Sequence, residues 1–519
     1  MFRIEGNILK GVVYDEYSMA PTSIVIPNFI TKIDKYAFTS CVELLEVAFE
    51  ENSHLQIIEE GAFSECPYLK SITLPSSVKI LGNKCFYKCK SLKHVYIPSH
   101  IKYIPDSCFG ECDSLNDIQF SNPNNIFKIE RNAFYWCTKL YKVPIFKNLR
   151  YIGDNAFNSV FKLKEFILSS KIQYIGNGAF ENTSITKIQF IQKRCYHHRK
   201  LIVKGTPFLN CKLQNYDNNG FIIYKHILFS YDYSMNLQCI IIPKNTTHIL
   251  NNIFYYNTDL TEVSLPNTLT YIGNTAFYGC KNLRTINFPN TLTHIGNECF
   301  NKCESLIAVN LSMCKHISIL HKEIFAECKS LKSILLPNTI KIIGNFAFES
   351  CNCLQYISPL PYLTYIGRGA FYNDFNLKSF FFSNTLTYTG YDSFRGCCKL
   401  KYIKLVGITS KEYISKCTSL ERLDIESTLQ PTKNLFIRIG TDSCDNIKEI
   451  WWNCNLLKEF WVLKNEYTSN NLTSRLHNNF NYAIYSGTKI YDMKLNEKNI
   501  KIVQIWLKQQ NLKNILECK

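Results

Sequence analysis

The chain has 519 residues, 46% of them hydrophobic and 19% charged, with 23 cysteines and a formal net charge of +17 at pH 7. A chain of this length can bury a large core. No run of eighteen apolar residues offers a membrane span, and the N-terminal MFRIEGNILKGVVYDEY has no apolar signal core.

In chain order, FRIEGNILKGVVYDEYSM reads as a strand-rich opening module. A repeat then sets in, with Phe at 38, 63, 86, 109, 134, 157 and 180 in steps of 23 or 25 residues. The frame breaks once. Phe208 reads as a single degenerate rung inside the break, and NGFIIYKHILFSYDYSM as a second opening module. In both modules Tyr-Ser-Met lies eight residues before a proline, Pro27 or Pro243, which precedes a repeat Phe by eleven. The second run places Phe at 254, 277, 300, 325, 348, 371 and 394. Past Ile403 the pattern decays, with Ile414 and then Trp451 read in the Phe place. The last twenty residues space Val503, Trp506, Leu507, Leu512, Ile515 and Leu516 at helical intervals, which predicts an amphipathic cap or a partner-docking helix. The domain organisation read from this is 1–190, opening module and first array; 191–220, irregular break; 221–430, second module and array; and 431–519, degenerate rungs and cap.

A fixed period of this size predicts a solenoid in which each repeat is one supersecondary unit stacked on the next. In one unit the apolar places are Leu269, Ile272, Ala276, Phe277, Cys280, Leu283, Ile286 and Phe288. Leu283 to Phe288 alternates as a half-buried strand, closed by Pro289. Gly stands four residues before the Phe in eight units, where a side chain would obstruct the coil. One rung buries too little to offset the ordering of its own backbone, so copy number is a condition of folding.

Eleven cysteines fall three residues after the place held by Phe: Cys41, Cys66, Cys89, Cys112, Cys137, Cys211, Cys280, Cys303, Cys328, Cys351 and Cys397. Val160 and Thr183 take the same place, so a small buried side chain is what the place needs, and reduced thiols are expected. The pairs Cys85/Cys89, Cys108/Cys112 and Cys299/Cys303 have the chemistry of zinc ligands, but each first cysteine replaces a packed Ala of its neighbours. Cys195, His197 and His198 in KRCYHHRK lack a second cluster to complete a metal site. No phosphate-cradling loop, HExxH or GxSxG occurs, so no enzyme, cofactor or metal is expected.

The unit L-x-x-I-G-x-x-A-F-x-x-C-x-x-L-x-x-I-x-L-P resembles the BspA-type (Treponema-type) leucine-rich repeat over roughly residues 20 to 425. The resemblance implies a leucine-rich repeat horseshoe with a parallel β-sheet. It also implies protein binding or adhesion at a cell surface.

The expected function is a non-enzymatic protein-binding scaffold. The alternatives are a surface adhesin or antigen, and a binder of RNA or another anionic polymer suggested by the charge. Localisation stays open. The missing signal core and the reduced thiols point to the cytoplasm, and the resemblance points to the cell surface. The candidate partner-binding residues form two columns. Lys70, Lys93, Lys164, Arg284, Lys332, Lys378 and Lys401 each follow the strand-opening Leu, and Tyr103, Tyr151, Tyr174, Tyr271, Tyr365 and Tyr388 lie six residues before the Phe. Each column is either an interface for an unidentified, acidic protein partner or no more than a solvated edge. The outward strand positions His94, Tyr96, Tyr356, Phe381 and Tyr402 are the fallback surface.

Overall fold

The computed structural model of the chain describes residues 2–12, 21–191, 201–408 and 413–426, Cys444 and Asn446, and the backbone of four strands between 449 and 491. The chain divides into two compact units, Met1–Lys225 and His226–Lys519. In both, one repeat makes one coil, and most coils contribute two short strands.

The first strand follows the repeat Phe by about eight residues. In the first unit Ser23–Ile26, Glu46–Phe49, Ser71–Thr73, His94–Ile97 and Asp117–Phe120 are successive parallel neighbours. In the second unit Cys239–Ile241, Glu262–Ser264, Thr285–Asn287, Ala308–Asn310, Ser333–Leu335 and Tyr356–Ile357 do the same. A second, two-residue strand precedes each Phe. Lys128–Ile129, Tyr151–Ile152 and Tyr174–Ile175 form one such ladder, and His248–Ile249, Tyr271–Ile272 and His294–Ile295 another. Register is one repeat per step, as in Val263 opposite Ile286, so equivalent side chains stand above one another.

The first opening module is an antiparallel hairpin, Phe2–Glu5 with Ile8–Val12, whose second strand starts the parallel ladder at Lys32–Ile33. In the second unit Ile227–Tyr231 pairs in parallel with His248–Ile249. The Tyr-Ser-Met of this module is a 3₁₀ turn, Tyr233–Met235, capped by the Asp232 side chain.

The core is the column of repeat phenylalanines. In the first unit their rings stack at centroid distances of 5.0–5.6 Å from Phe38 to Phe208, so Phe208 continues the stack begun by Phe180. In the second unit the distances are 5.1–5.8 Å from Phe254 to Phe394. The coil spacing of about 4.8 Å forces this offset parallel stacking, which buries both faces of every interior ring. Leu269, Ile272, Ala276, Phe277, Cys280 and Leu283 are all fully buried.

The backbone around each Phe alternates in hand. Residues two before and two after it are left-handed, including Tyr36 and Ser40, Asn132 and Trp136, Asn155 and Ser159, and Glu323 and Glu327. This turns alternate N–H groups toward the neighbouring coil. Phe63 N–H, for instance, donates to the Cys85 carbonyl and Phe86 N–H to that of Cys108. The glycines four before the Phe serve close approach instead, since none has a positive φ. A Cβ on Gly296 would stand 2.4 Å from Asn274 N, and one on Gly82 2.3 Å from Glu60 N.

The array ends differently from the sequence reading. Tyr402–Val406, Arg422–Glu426 and Glu449–Cys454 are parallel, and Glu459–Lys464, Tyr482–Ser486 and Lys489–Tyr491 then add antiparallel strands. Trp451 therefore does not hold a Phe place. It lies within a strand, opposite Asp424. The cysteine of that coil is Cys444, whose thiol donates to the Ile414 carbonyl. The run WWNC resembles a Phe-Cys unit only because strand and coil share apolar residues at similar spacing. The predicted C-terminal helix lies outside the described residues.

Candidate functional site

The strand-opening Leu of each coil is buried, so the residue after it projects from the sheet border. Lys70, Lys93, Lys164, Arg284, Lys332, Lys378 and Lys401 are all exposed there. Their backbones form the same ladder: Lys93 N–H donates to Lys70 O at 2.8 Å, Ile307 N–H to Arg284 O at 3.2 Å and Lys332 N–H to Ile307 O at 2.8 Å. Ile307 and Gln355 occupy the column in the second unit, so the basic side chains are interrupted rather than contiguous.

Lysines elsewhere on the coils fall into two groups, those that reach a carboxylate and those, such as Lys79, Lys84 and Lys341, that reach none among the described residues. Lys32, Lys88, Lys281, Lys302, Lys322 and Lys329, on the rest of the coil, each reach a glutamate within 4 Å. Within the column only Lys401 has a carboxylate, Glu421 at 2.9 Å. Among the described residues the other six cations meet no acid, which leaves their fields uncompensated at the surface.

The tyrosine column lies on the second ladder, a different part of the coil. Tyr103, Tyr151, Tyr174, Tyr271, Tyr365 and Tyr388 are half-buried, and Ile104, Ile152, Ile175, Ile272 and Ile366 beside them are fully buried. The rings stack on one another: Tyr151 on Tyr174 at 4.5 Å, Tyr365 on Tyr388 at 4.8 Å, and Tyr271 between His248 and His294 at 5.5 and 4.6 Å. Burial pushes the His294 pKa down to about 4, helped by His321. The two columns do not form one surface.

Of the outward strand positions, His94, Tyr96, Tyr356 and Phe381 are exposed, whereas the Tyr402 hydroxyl donates to Asp424 Oδ2 at 2.8 Å. Sequence reasoning missed Ile241, 74% exposed, and Leu335, 40% exposed, which stand at the same strand place as Tyr96 and Phe381 in other coils. Strand alternation carried that signal, since Val263 and Ile334 fix the inward phase.

The cysteine column has a uniform role. The thiols of Cys66, Cys89, Cys112, Cys280, Cys303, Cys328, Cys351 and Cys397 each donate to the carbonyl of the previous coil's Phe at 3.0–3.2 Å. Burial pushes the Cys89 and Cys280 thiols up to about 12. It pushes Cys85, Cys108 and Cys299 up as well, which opposes the thiolate that a zinc site requires. Cys195, His197 and His198 lie outside the described residues. Among the described residues no cluster of three or more His, Cys, Asp or Glu could hold a metal ion, and no helix is long and apolar enough to cross a membrane.

The model of the BspA-type leucine-rich repeat region matches residues 14–127, 82–216, 225–319 and 318–437. The chain belongs to the BspA-type leucine-rich repeat family. This BspA-type chain is similar to a leucine-rich cell surface protein from Faecalibacterium prausnitzii at 24% identity, covering 66% of this chain and 80% of that one with a TM-score of 0.34. It is similar to a leucine-rich repeat protein from Bacteroides ovatus at 20% identity, covering 87% and 97% with a TM-score of 0.36. A leucine-rich repeat protein of T. pallidum aligns at 25% identity over 36% and 91%, with a TM-score of 0.32. No curated protein sequence matches the chain.

Proposed function

We propose that this BspA-type scaffold binds an acidic protein partner along the sheet border through the basic column, and that it does no chemistry of its own. The observation that carries this reading is the recurrence of exposed cations at one border place of the coils, six of the seven without a carboxylate partner among the described residues. Unpaired cations at coil spacing suit an extended acidic segment lying across several coils, and they raise its association rate. Exposed Tyr356 and Phe381 on the neighbouring strand face add the aromatic contacts that interfaces favour. Adhesion at a cell surface is the same physics in a particular compartment, and labelling intact cells with an impermeant amine reagent tests it.

The test of binding is capture on the immobilised full chain, repeated with Arg284, Lys332 and Lys378 all changed to Glu. The expected result is loss of the captured acidic protein, with retention falling steeply as salt rises and an unchanged melting temperature. Capture that ignores the triple reversal overturns the basic column as the interface. Retention of RNA in place of protein favours the anionic-polymer reading.

A further inference from the structure

The residue directly after the repeat Phe carries a side chain in almost every described coil. In the first unit these include Thr39, Ser64, Tyr87, Tyr135, Asn158 and Glu181, and only the coil of Phe109 has glycine, Gly110. The backbone does not ask for it, because Gly110 is not left-handed. What the glycine creates is space: a cavity of about 380 Å³ whose lining includes Tyr87, Tyr135, Lys84, Arg131, Asp106 and Glu111. A Cβ on Gly110 would stand 3.1 Å from Tyr87 Cδ2 and 3.4 Å from Asn132 O, so any side chain there begins to fill it.

The charges around this slot are unevenly satisfied. The Tyr87 hydroxyl donates to Glu111 Oε1 at 2.5 Å, and Ser107 Oγ donates to Asp106 Oδ1 at 2.6 Å. Both carboxylates are thus engaged by neutral hydroxyls, while neither Lys84 nor Arg131 has a carboxylate partner among the described residues. Next to the slot Trp136 is 42% exposed and left-handed at φ 60, a conformation that a bulky residue seldom adopts. Its ring lies 5.8 Å from that of Tyr135 and 6.0 Å from that of Phe161, which extends the aromatic surface beyond the cavity.

We propose that this slot binds the acidic sugar of a glycan, a hexuronic acid or a sugar of similar charge. Tyr135 and Tyr87, over whose ring Lys88 Nζ stands 5.1 Å from the centroid, line the slot with aromatic surface that suits the C–H face of a pyranose ring. Arg131 and Lys84 supply the donors for its carboxylate. The cavity is at the small end of ligand sites, which suits one sugar ring, with Trp136 placed to meet the next. The site lies on the turns rather than at the sheet border, and it depends on neither the basic column nor a protein partner.

Calorimetric titration of the full chain with trigalacturonate, maltotriose and adenosine monophosphate tests the assignment. Saturable binding of trigalacturonate alone is expected. Arg131→Ala should weaken it by about ten-fold or more, as loss of a charge-assisted contact does. Gly110→Phe should abolish it by occupying the slot, and Lys315→Ala, at an exposed position of the second unit, should leave it unchanged. Should Gly110→Phe fail to fold, the exposed Arg131→Ala and Lys84→Ala variants carry the test. Absence of saturable binding, equal binding of maltotriose or of the nucleotide, or indifference to Arg131→Ala overturns the proposal.

Discussion

At the scale of the residue, the repeat cysteine is a hydrogen-bond donor of the right size as well as a small core side chain. The carbonyls of Phe86 and Phe254 already accept from the N–H three residues on, and the next coil's thiol satisfies the second lone pair. Buried thiols so held, with pKa values raised toward 12, should resist alkylation. Iodoacetamide at pH 8 is expected to label exposed Cys239 first and the buried members of the column, such as Cys89 and Cys280, only after denaturation, with no reductant needed; mass spectrometry reads both results. Labelling of Cys89 or Cys280 at the rate of Cys239 would contradict the buried column. The column also has a fault. In the coil of Phe371 the place belongs to Asp374, fully buried, with Oδ1 accepting from Cys351 N–H at 2.8 Å and Oδ2 without a partner. A carboxylate cannot donate to the Phe348 carbonyl that this place should serve, but a carboxylic acid can. Burial holds this carboxyl well above the ordinary carboxylate range. A raised folded-state pKa means that the contribution of Asp374 is fully present below its unfolded value near 4 and is lost as pH rises through the folded one. Asp374→Cys is therefore expected to stabilise the second unit by about 1–3 kcal/mol at pH 7 and to flatten its stability against pH, as measured by denaturant titration at several pH values. An unchanged profile would show that Asp374 is solvated in the native state.

At the scale of the coil, step length and glycine are linked. The three steps of 25 residues end at Phe63, Phe134 and Phe325, and these coils carry Glu59, Glu130 and His321 four residues before the Phe. The coils of 23 residues at Phe277, Phe300 and Phe348 carry Gly273, Gly296 and Gly344 there, each against the backbone of the coil before. Asparagine supports the same corner. Asn251 Oδ1 accepts from Asn274 N–H and Asn274 Oδ1 from Asn297 N–H, at 3.0 and 2.8 Å, so the Ile-Gly-Asn triplets describe one hydrogen-bonded ladder. Gly296→Ala drives its Cβ into Asn274 N. It should destabilise the second unit by about 1–3 kcal/mol, the usual result of overpacking against atoms that cannot turn away. Hydrogen exchange should show the loss at the coils of Phe277 and Phe300, and equal protection in the variant would mean that the corner relaxes freely.

At the scale of the whole chain, the period read from Phe alone gave the coil, its strand and its core, because a solenoid imposes the same packing on every copy. Several features stayed hidden for particular reasons. The left-handed places hold Tyr36, Glu65, Lys84 and Trp136 as well as glycine, so no residue type marks them. The absence of acids beside Lys332 or Arg284 depends on which side chains the ladder brings together, and Lys401 meets Glu421 in a column that looked uniform. The slot at Gly110 is legible only once Tyr87 and Tyr135 are known to flank it. Stacking also sets how damage spreads. Phe277 is sandwiched between Phe254 and Phe300 at 5.1 and 5.3 Å, so Phe277→Ala removes cover from both neighbours as well as its own burial. The expected loss is about 3–5 kcal/mol, as for other buried aromatics. Because each coil contacts only its neighbours, the loss should appear as faster exchange in the coils of Phe254, Phe277 and Phe300, fading along the second unit. The stack from Phe38 to Phe208 has its own opening hairpin, so amides of the first unit should exchange at their original rates. Uniform acceleration across both units would instead make the chain one cooperative block, and acceleration confined to residues 269–290 would deny that stacking couples the coils at all.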